Sequence, residues 1–530
     1  MDDAAVLAHV EAWIDRCRDR FAGPAIAFGL TDRERTLGTL AIGDAAPGTP
    51  LRPDHLFLIA SVSKSFTAAL VMQEVGAGHL SLEEPITTFL PWFAPPSTFA
   101  PITAHHLLTH TAGLASGWDS TGDAIHELLL LVDQELASAP GERHVYSNAG
   151  YKALGLVLEA VTGRPWWDLA RERLLGPLGM VATEPIVTDD IRPRLATGWV
   201  PPLDDRPWHP EHGLAQAPWY ESSTADGTIC SNAQDMAAYL RMYLRDGVPV
   251  LPAELVHRMM TPAVPDPEIE GEYAYGLWVL RGERALVGHS GSLPGYRSMI
   301  LLDRAAGLGA VVLTNGDVTW ELRRELLAFA LASARAASAD DDLPQLPEPT
   351  TRRSMLEPSA AGRYLDHLGA IELEEDGGGI ALRVDANRAP LERTDADRYV
   401  SSLEGWDRFD LIVEREAGAA VHVVHGTRML EREGRPSMPP PPGDPSWVPF
   451  IGRYRAYGIE PMLVTVLERA GTLRLVSPGM GMDDELVPLE DGRFRVGVDP
   501  WQPGRARFEM ALGDRATRLL LDGASFYRAP

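Results

Sequence analysis

At 530 residues the chain exceeds the size of one ordinary domain, and two or three are expected. Its 45% hydrophobic and 23% charged residues describe a soluble globular protein with ample apolar side chain for a core. A formal net charge of −26 argues against nucleic acid as a partner, because phosphates would be repelled, and against an anionic membrane surface.

The N-terminus, Met1-Asp2-Asp3-Ala4, shows neither the basic region nor the apolar stretch of a signal peptide, and no apolar run reaches the length of a membrane span. A cytoplasmic protein is the expectation. Val6, Val10, Trp13, Cys17 and Phe21 recur at helical spacing and predict an amphipathic first helix. Strand-like runs at 25–30 and 36–42 follow, separated by the polar turn Asp32-Arg33-Glu34-Arg35. A long, mostly helical region then runs to about residue 260. Apolar stretches at 273–280, 285–288, 296–302 and 308–314 are spaced by turn residues as in an antiparallel meander, and a helix over 320–336 closes the unit. The predicted class is α+β: helices packed on an antiparallel sheet, with an inserted helical region. Cys17 and Cys230 lack metal-ligand spacing and read as two buried free thiols, with a disulfide as the alternative.

The composition shifts to Asp, Pro and polar residues at 339–353, which marks a linker after a first domain over 1–338. A second break at 434–449 contains Pro439-Pro440-Pro441-Pro442, a stiff spacer. The two segments these breaks set off, 354–433 and 450–530, resemble each other. Gly362-Arg363-Tyr364 recurs as Gly452-Arg453-Tyr454, Ile380–Val384 has a counterpart in Thr472–Val476, and Pro390-Leu391-Glu392 in Pro488-Leu489-Glu490. Shared order and spacing predict tandem copies of a small antiparallel β-barrel or sandwich.

Three motifs carry the chemistry. In Ser61-Val62-Ser63-Lys64 a serine opens a helix, beside unpaired backbone N–H groups and the positive dipole end, and a lysine sits one turn on along the same face. A neutral lysine can take the serine proton. Composition sharpens this reading, because Lys64 and Lys152 are the only lysines among 48 basic residues, and arginine cannot serve as a base. Tyr146-Ser147-Asn148 precedes an apolar helix stopped by Gly163 and supplies a phenol and an amide suited to proton transfer and orientation. The bland alternative is that Asn148 caps the helix while Tyr146 packs beneath it. His289-Ser290-Gly291-Ser292 is expected on a strand of the meander, with Gly291 letting substrate approach the backbone and the N–H of Ser292 facing that of Ser61 as a second oxyanion donor. A purely structural His289 is the alternative.

Taken together and in this order, the motifs resemble those of the penicillin-recognising serine enzymes: Ser-x-x-Lys, Ser/Tyr-x-Asn, and a Lys/His-Thr/Ser-Gly strand. Leu107–Leu114, Tyr146–Tyr151 and Asp226-Gly227-Thr228 leading into Ser231–Met236 narrow the resemblance to the class C β-lactamase-like branch over roughly the first two-thirds of the chain. The overall plan is similar to that of D-aminopeptidases. The resemblance implies Ser61 as nucleophile, Lys64 as general base, and Tyr146 as proton shuttle. It implies Asn148 and His289 as orienting or substrate-binding groups, His110 and Gly113 as structural, and no metal or organic cofactor. Ser231 with Gln234 reads as a helix capping box.

Histidine at 289, where many β-lactamases and carboxypeptidases carry lysine, is a poorer anchor for a substrate carboxylate. That shifts expectation towards hydrolysis of small peptides or amino-acid amides. An esterase or transacylase is the nearest alternative, then a weak β-lactamase, and a sensor that acylates without turnover is the reading from another class. The partner expected is a small molecule or short peptide, with a homo-oligomer left open. The acidic stretch Gly479–Asp484 is read as a loop, first of all an ordinary solvated β-turn; similarity to D-aminopeptidases, in which a loop of the C-terminal module reaches the active-site mouth, gives the alternative that Asp483 or Asp484 meets a substrate ammonium.

Overall fold

Val6, Val10 and Trp13 form the buried face of helix α1 (Asp3–Arg16), capped by the Asp2 side chain. The helix stops short of Cys17 and Phe21, which stay buried across a single 3-10 turn. The computed structural model describes residues 2–21, 23–118, 121–349, 358–377, 379–435, 441–458, 462–509 and 514–530. The end of the expected first linker (350–353), the start of the first module and the prolines Pro439 and Pro440 lie outside these residues. The chain forms two units, residues 1–200 with 216–348, and residues 201–215 with 349–530. No helix among the described residues is long and apolar enough to cross a membrane.

In the first unit, strands β1 (Ala25–Thr31), β2 (Thr36–Ala46) and β3 (Thr49–Pro50) precede a helical region containing α2 (Ser63–Gly76), α3 (Asn148–Thr162) and α4 (Ala233–Leu244). The chain then returns through β4 (Val264–Asp266), β5 (Gly271–Tyr273), β6 (Trp278–Leu280), β7 (Leu286–Leu293), β8 (Tyr296–Asp303) and β9 (Leu308–Thr314) to helix α5 (Trp320–Ala339). All nine strands make one antiparallel sheet in the order β3-β2-β1-β9-β8-β7-β6-β5-β4.

The central strands are buried on both faces, which is why 296–302 and 308–314 read as continuous apolar runs. Phe28, Met299, Leu301 and Val312 pack against Val10, Trp13, Leu322 and Leu326 of α1 and α5. Ile300, Leu302, Val311 and Leu313 face Phe66, Leu70, Met236 and Tyr239 of the helical region. Each such fully buried side chain contributes about 1.5–3 kcal/mol. Cys17 and Cys230 are both buried, and neither is joined in a disulfide.

Two differences from the expected meander position the site. The stretch at 273–280 is not one strand: the chain turns at Gly276, φ +68°, where a Cβ would stand 2.8 Å from the Lys64 carbonyl. The close approach of the turn to α2 requires glycine there. Strand β7, in turn, runs to Leu293, five residues beyond the apolar stretch that announced it, so His289 to Ser292 lie wholly within it.

The second unit holds two closed eight-stranded barrels, the first from Gly362–Asp366 to Arg428–Arg432 and the second from Gly452–Ala456 to Ala524–Ala529. In each the last strand pairs with the first. The repeated sequences occupy equivalent places. Tyr364 and Tyr454 both sit on the first strand, and each donates its hydroxyl to the carbonyl four residues earlier, at 2.8 Å to Ala360 and 2.7 Å to Phe450.

Residues 201–215, which the sequence reading left within the first domain, group with the barrels through charge: Asp204 accepts from Arg455 at 2.7 Å, Asp205 pairs with Arg408, and Arg206 pairs with Asp407. The acidic stretch expected as a loop is a short 3-10 turn followed by a barrel strand beginning at Met482. The Asp483 side chain is 8% exposed and is bound by Arg469 at 2.7 and 2.8 Å and by Arg474 at 2.6 Å. Its carboxylate is already neutralised, so it is not free to meet a substrate ammonium.

Candidate active site

Ser61 lies in a 3-10 turn (Ala60–Val62) that runs directly into α2. Ala60, just before it, adopts a left-handed conformation with φ +49°, which costs about 1–2 kcal/mol for a residue with a Cβ. Neighbouring chain holds the strained turn from two sides. Ile59 N–H donates to Ile229 O at 2.9 Å, and Ile59 O accepts from Ser298 Oγ at 2.7 Å.

Lys64, one turn into the helix, is fully buried. Its Nζ lies 2.9 Å from Ser61 Oγ, 2.8 Å from Asn148 Oδ1 and 3.0 Å from the Asp226 carbonyl. It also stands over the rings of Tyr146, at 5.0 Å from the centroid, and Tyr151, at 5.7 Å. Two of its three oxygen partners are acceptors only. A neutral amine that gives its two N–H groups to Asn148 and Asp226 therefore turns its lone pair towards the Ser61 hydroxyl. Asp226 acts here through its backbone, so no side-chain signal in the sequence announced it.

Asn148 is not the helix cap. Ser147 takes that place, its Oγ accepting from Gly150 N–H at 3.2 Å and donating to Ala115 O at 2.9 Å. The cap on Ser147 frees the Asn148 amide for Lys64. The cap at α4 also differs from the expected Ser231–Gln234 box. Asn232 is the cap, accepting from Asp235 N–H at 2.8 Å, while the Asp235 carboxylate receives Ala182 and Thr183 N–H.

His289 neither contacts the Tyr146 hydroxyl nor presents a free ring nitrogen to substrate. Its Nε2 is 3.0 Å from Tyr273 Oη, its Nδ1 is 2.6 Å from Ser290 O, and the ring stacks on Trp278 at 4.7 Å. Tyr273 Oη continues to His110 Nε2 at 3.1 Å, and His110 Nδ1 accepts from Ser147 N–H at 3.0 Å. Ser290 O only accepts, so His289 Nδ1 carries a hydrogen; His110 Nδ1 is taken by Ser147 N–H, so a hydrogen on its Nε2 is donated to Tyr273, and a neutral His289 accepts at Nε2 from the Tyr273 hydroxyl. Burial, and the positive charge that Lys64 carries when protonated, push His289 down to about 3 and hold His110 well below its ordinary value, so both imidazoles are neutral near pH 7. Tyr273 is the element that sequence reading missed, since a lone strand tyrosine carries no motif.

Gly291 answers a need of the protein itself. A Cβ there would stand 2.2 Å from Ile59 O, 2.4 Å from Ser298 Oγ and 2.9 Å from the Ala60 Cβ. The glycine lets β7 close on the turn that carries Ser61. Strand β6 pairs with β7 only as far as Gly288, so among the described residues the β7 edge at Ser290 and Ser292 has no strand neighbour on that side.

A family model described as Beta-lactamase matches residues 10–334. Penicillin-binding protein 4 of Amycolatopsis lactamdurans is 31% identical over 343 residues, spanning 60% of this chain and 89% of that protein. Esterase EstB of Burkholderia gladioli is 34% identical over 206 residues, 34% of this chain and 52% of that protein. The solved octameric penicillin-binding protein homologue from Pyrococcus abyssi superposes with a TM-score of 0.59 at 24% identity, covering 81% of this chain and 100% of that one. The chain belongs to the Beta-lactamase family, has the class C β-lactamase-like fold, and is a serine hydrolase of that family.

Proposed function

We propose that the protein cleaves amide bonds of small peptides or amino-acid amides through an acyl-enzyme on Ser61. The observation that carries this reading is the environment of Lys64 Nζ, within 2.8–3.0 Å of Ser61 Oγ and two carbonyl acceptors. Lys64 takes the Ser61 proton as Oγ attacks the substrate carbonyl. The backbone N–H groups of Ser61 and Ser292 receive the oxyanion. Tyr146 passes a proton to the leaving amine, the C–N bond breaks, and water enters by the reverse path to release the acid and restore Ser61.

A neutral His289 supports the substrate class. With both ring nitrogens bonded within the protein and no charge near neutral pH, it offers nothing to a substrate carboxylate. Neutral amides and esters are thereby favoured over β-lactams and peptides ending in a free carboxylate. Similarity to EstB supports a second reading, an esterase or transacylase using the same acyl-enzyme.

The test compares kcat/KM on an amino-acid amide, a short-chain p-nitrophenyl ester and a chromogenic cephalosporin. The amide should exceed the cephalosporin by at least about a hundredfold, and it should approach or exceed the ester once the ester's intrinsic reactivity is allowed for. Fastest turnover of the cephalosporin would overturn the substrate class. Turnover of ester alone would select the second reading.

A further inference from the structure

Arg323, on the first turn of α5, is buried at 4% exposure yet forms no side-chain ion pair among the described residues. Its Nη1 donates to Gly291 O at 3.1 Å and to Ser298 O at 2.5 Å, and its Nε donates to Thr319 O at 3.3 Å. Gly291 and Ser298 face each other across the β7–β8 ladder, so one guanidinium nitrogen bridges the two carbonyls of a single cross-strand pair. Those carbonyls already belong to the ladder, so neither requires a buried cation for its hydrogen bonding. Burying a charge without a carboxylate partner is costly. Burial and the nearby Arg297 push the guanidinium down to about 9, which leaves it cationic at neutral pH.

The Gly291 carbonyl and the Ser292 N–H are opposite ends of one planar trans peptide. A cation on the oxygen draws electron density through the amide and makes the N–H a stronger donor, an effect that low dielectric enhances. The same contact fixes the peptide plane. We infer that Arg323 is a positioning residue for the reaction, holding and polarising the Gly291–Ser292 peptide so that its N–H binds the oxyanion. The inference rests on the proposed role of Ser292 N–H and goes one residue deeper.

The test uses the full chain acylated at Ser61 with a slowly hydrolysed ester, and follows the acyl carbonyl stretch by isotope-edited infrared difference spectroscopy. In the wild type the stretch should lie below that of the same ester in water, which reads the oxyanion donors themselves. Arg323→Met should move it up towards the water value and lower the acylation kcat by about tenfold, with KM within about twofold, because substrate is bound by other groups. Arg323→Lys, which keeps a cation able to reach one carbonyl, should restore most of both effects and guards against a methionine variant that folds poorly. A folded Arg323→Met enzyme with the wild-type carbonyl frequency, or a folded Arg323→Lys enzyme that restores neither the frequency nor the rate, would overturn the role of Arg323 while leaving the oxyanion site intact. A wild-type stretch equal to that in water would remove the oxyanion reading, and this inference with it.

Discussion

Replacing Gly291 with alanine adds one methyl group, and its consequence can be worked from the contacts. The new Cβ would stand 2.2 Å from the Ile59 carbonyl oxygen and 2.9 Å from the Ala60 Cβ, where ordinary contact begins near 3.4 Å. Ser298 Oγ, at 2.4 Å, can rotate away, but only by giving up its 2.7 Å bond to the same Ile59 oxygen. Backbone must therefore move, and β7 and the Ser61 turn must part by roughly 1 Å. Overpacking of this kind costs about 1–3 kcal/mol, which for a unit of this size lowers Tm by a few degrees.

The kinetic effect should be larger. Ser61 and the Ser292 N–H lie on opposite sides of the seam being opened, and a misplacement of about 1 Å costs roughly a hundredfold in rate. The rate constant for acylation by a p-nitrophenyl ester, measured beside the melting temperature, separates the two. Gly282→Ala, where the nearest atom is 3.6 Å away, is the control and should behave as wild type. Full acylation rate in a folded Gly291→Ala protein would show that the seam does not set the catalytic geometry.

Lys64→Arg should abolish turnover as completely as Lys64→Ala, by about two to four powers of ten, because arginine keeps the charge but cannot accept the proton. Substantial steady-state turnover by the arginine variant would make the lysine electrostatic only. His289 sets a pH dependence of stability. Its ordinary value is 6.5 and its folded value about 3, so between those limits the unfolded chain binds a proton that the folded chain refuses, and stability falls as pH falls through that window. The contribution is at most ~5 kcal/mol. His289→Gln should flatten the dependence of denaturant midpoint on pH between about 6.5 and 3, and an unchanged slope would place a charged His289 in the folded state.

Much of the fold was legible because hydrophobic patterning is local. The α1 face, the apolar runs of β8 and β9, and the repeated barrel strands each follow from a few consecutive side chains. The break at Gly276 was not legible, since an apolar run gives no sign that its middle must turn against Lys64. At the site, Ser61, Lys64, Tyr146 and Asn148 stand out because their chemistry is carried by side chains at fixed spacing. The Asp226 carbonyl, the Tyr273 bridge and Arg323 escaped because each acts across long sequence separation or through backbone atoms, which any residue type supplies. His289 was visible as a motif, yet its function in the ladder depended on partners that only the packed structure brings near. Asp483 is the converse case, where an acidic residue offered as the alternative partner of a substrate ammonium is claimed by two arginines of its own barrel.

The central claim is that Ser61 is the nucleophile, and covalent trapping tests it most directly. The full-length protein is treated with a fluorophosphonate, and the modified residue is located by intact mass followed by peptide mass spectrometry. The expected result is one adduct per chain on the peptide carrying Ser61, absent from a Ser61→Ala protein with an unchanged circular dichroism spectrum. An adduct on another residue, or labelling that persists in the alanine variant, would contradict it.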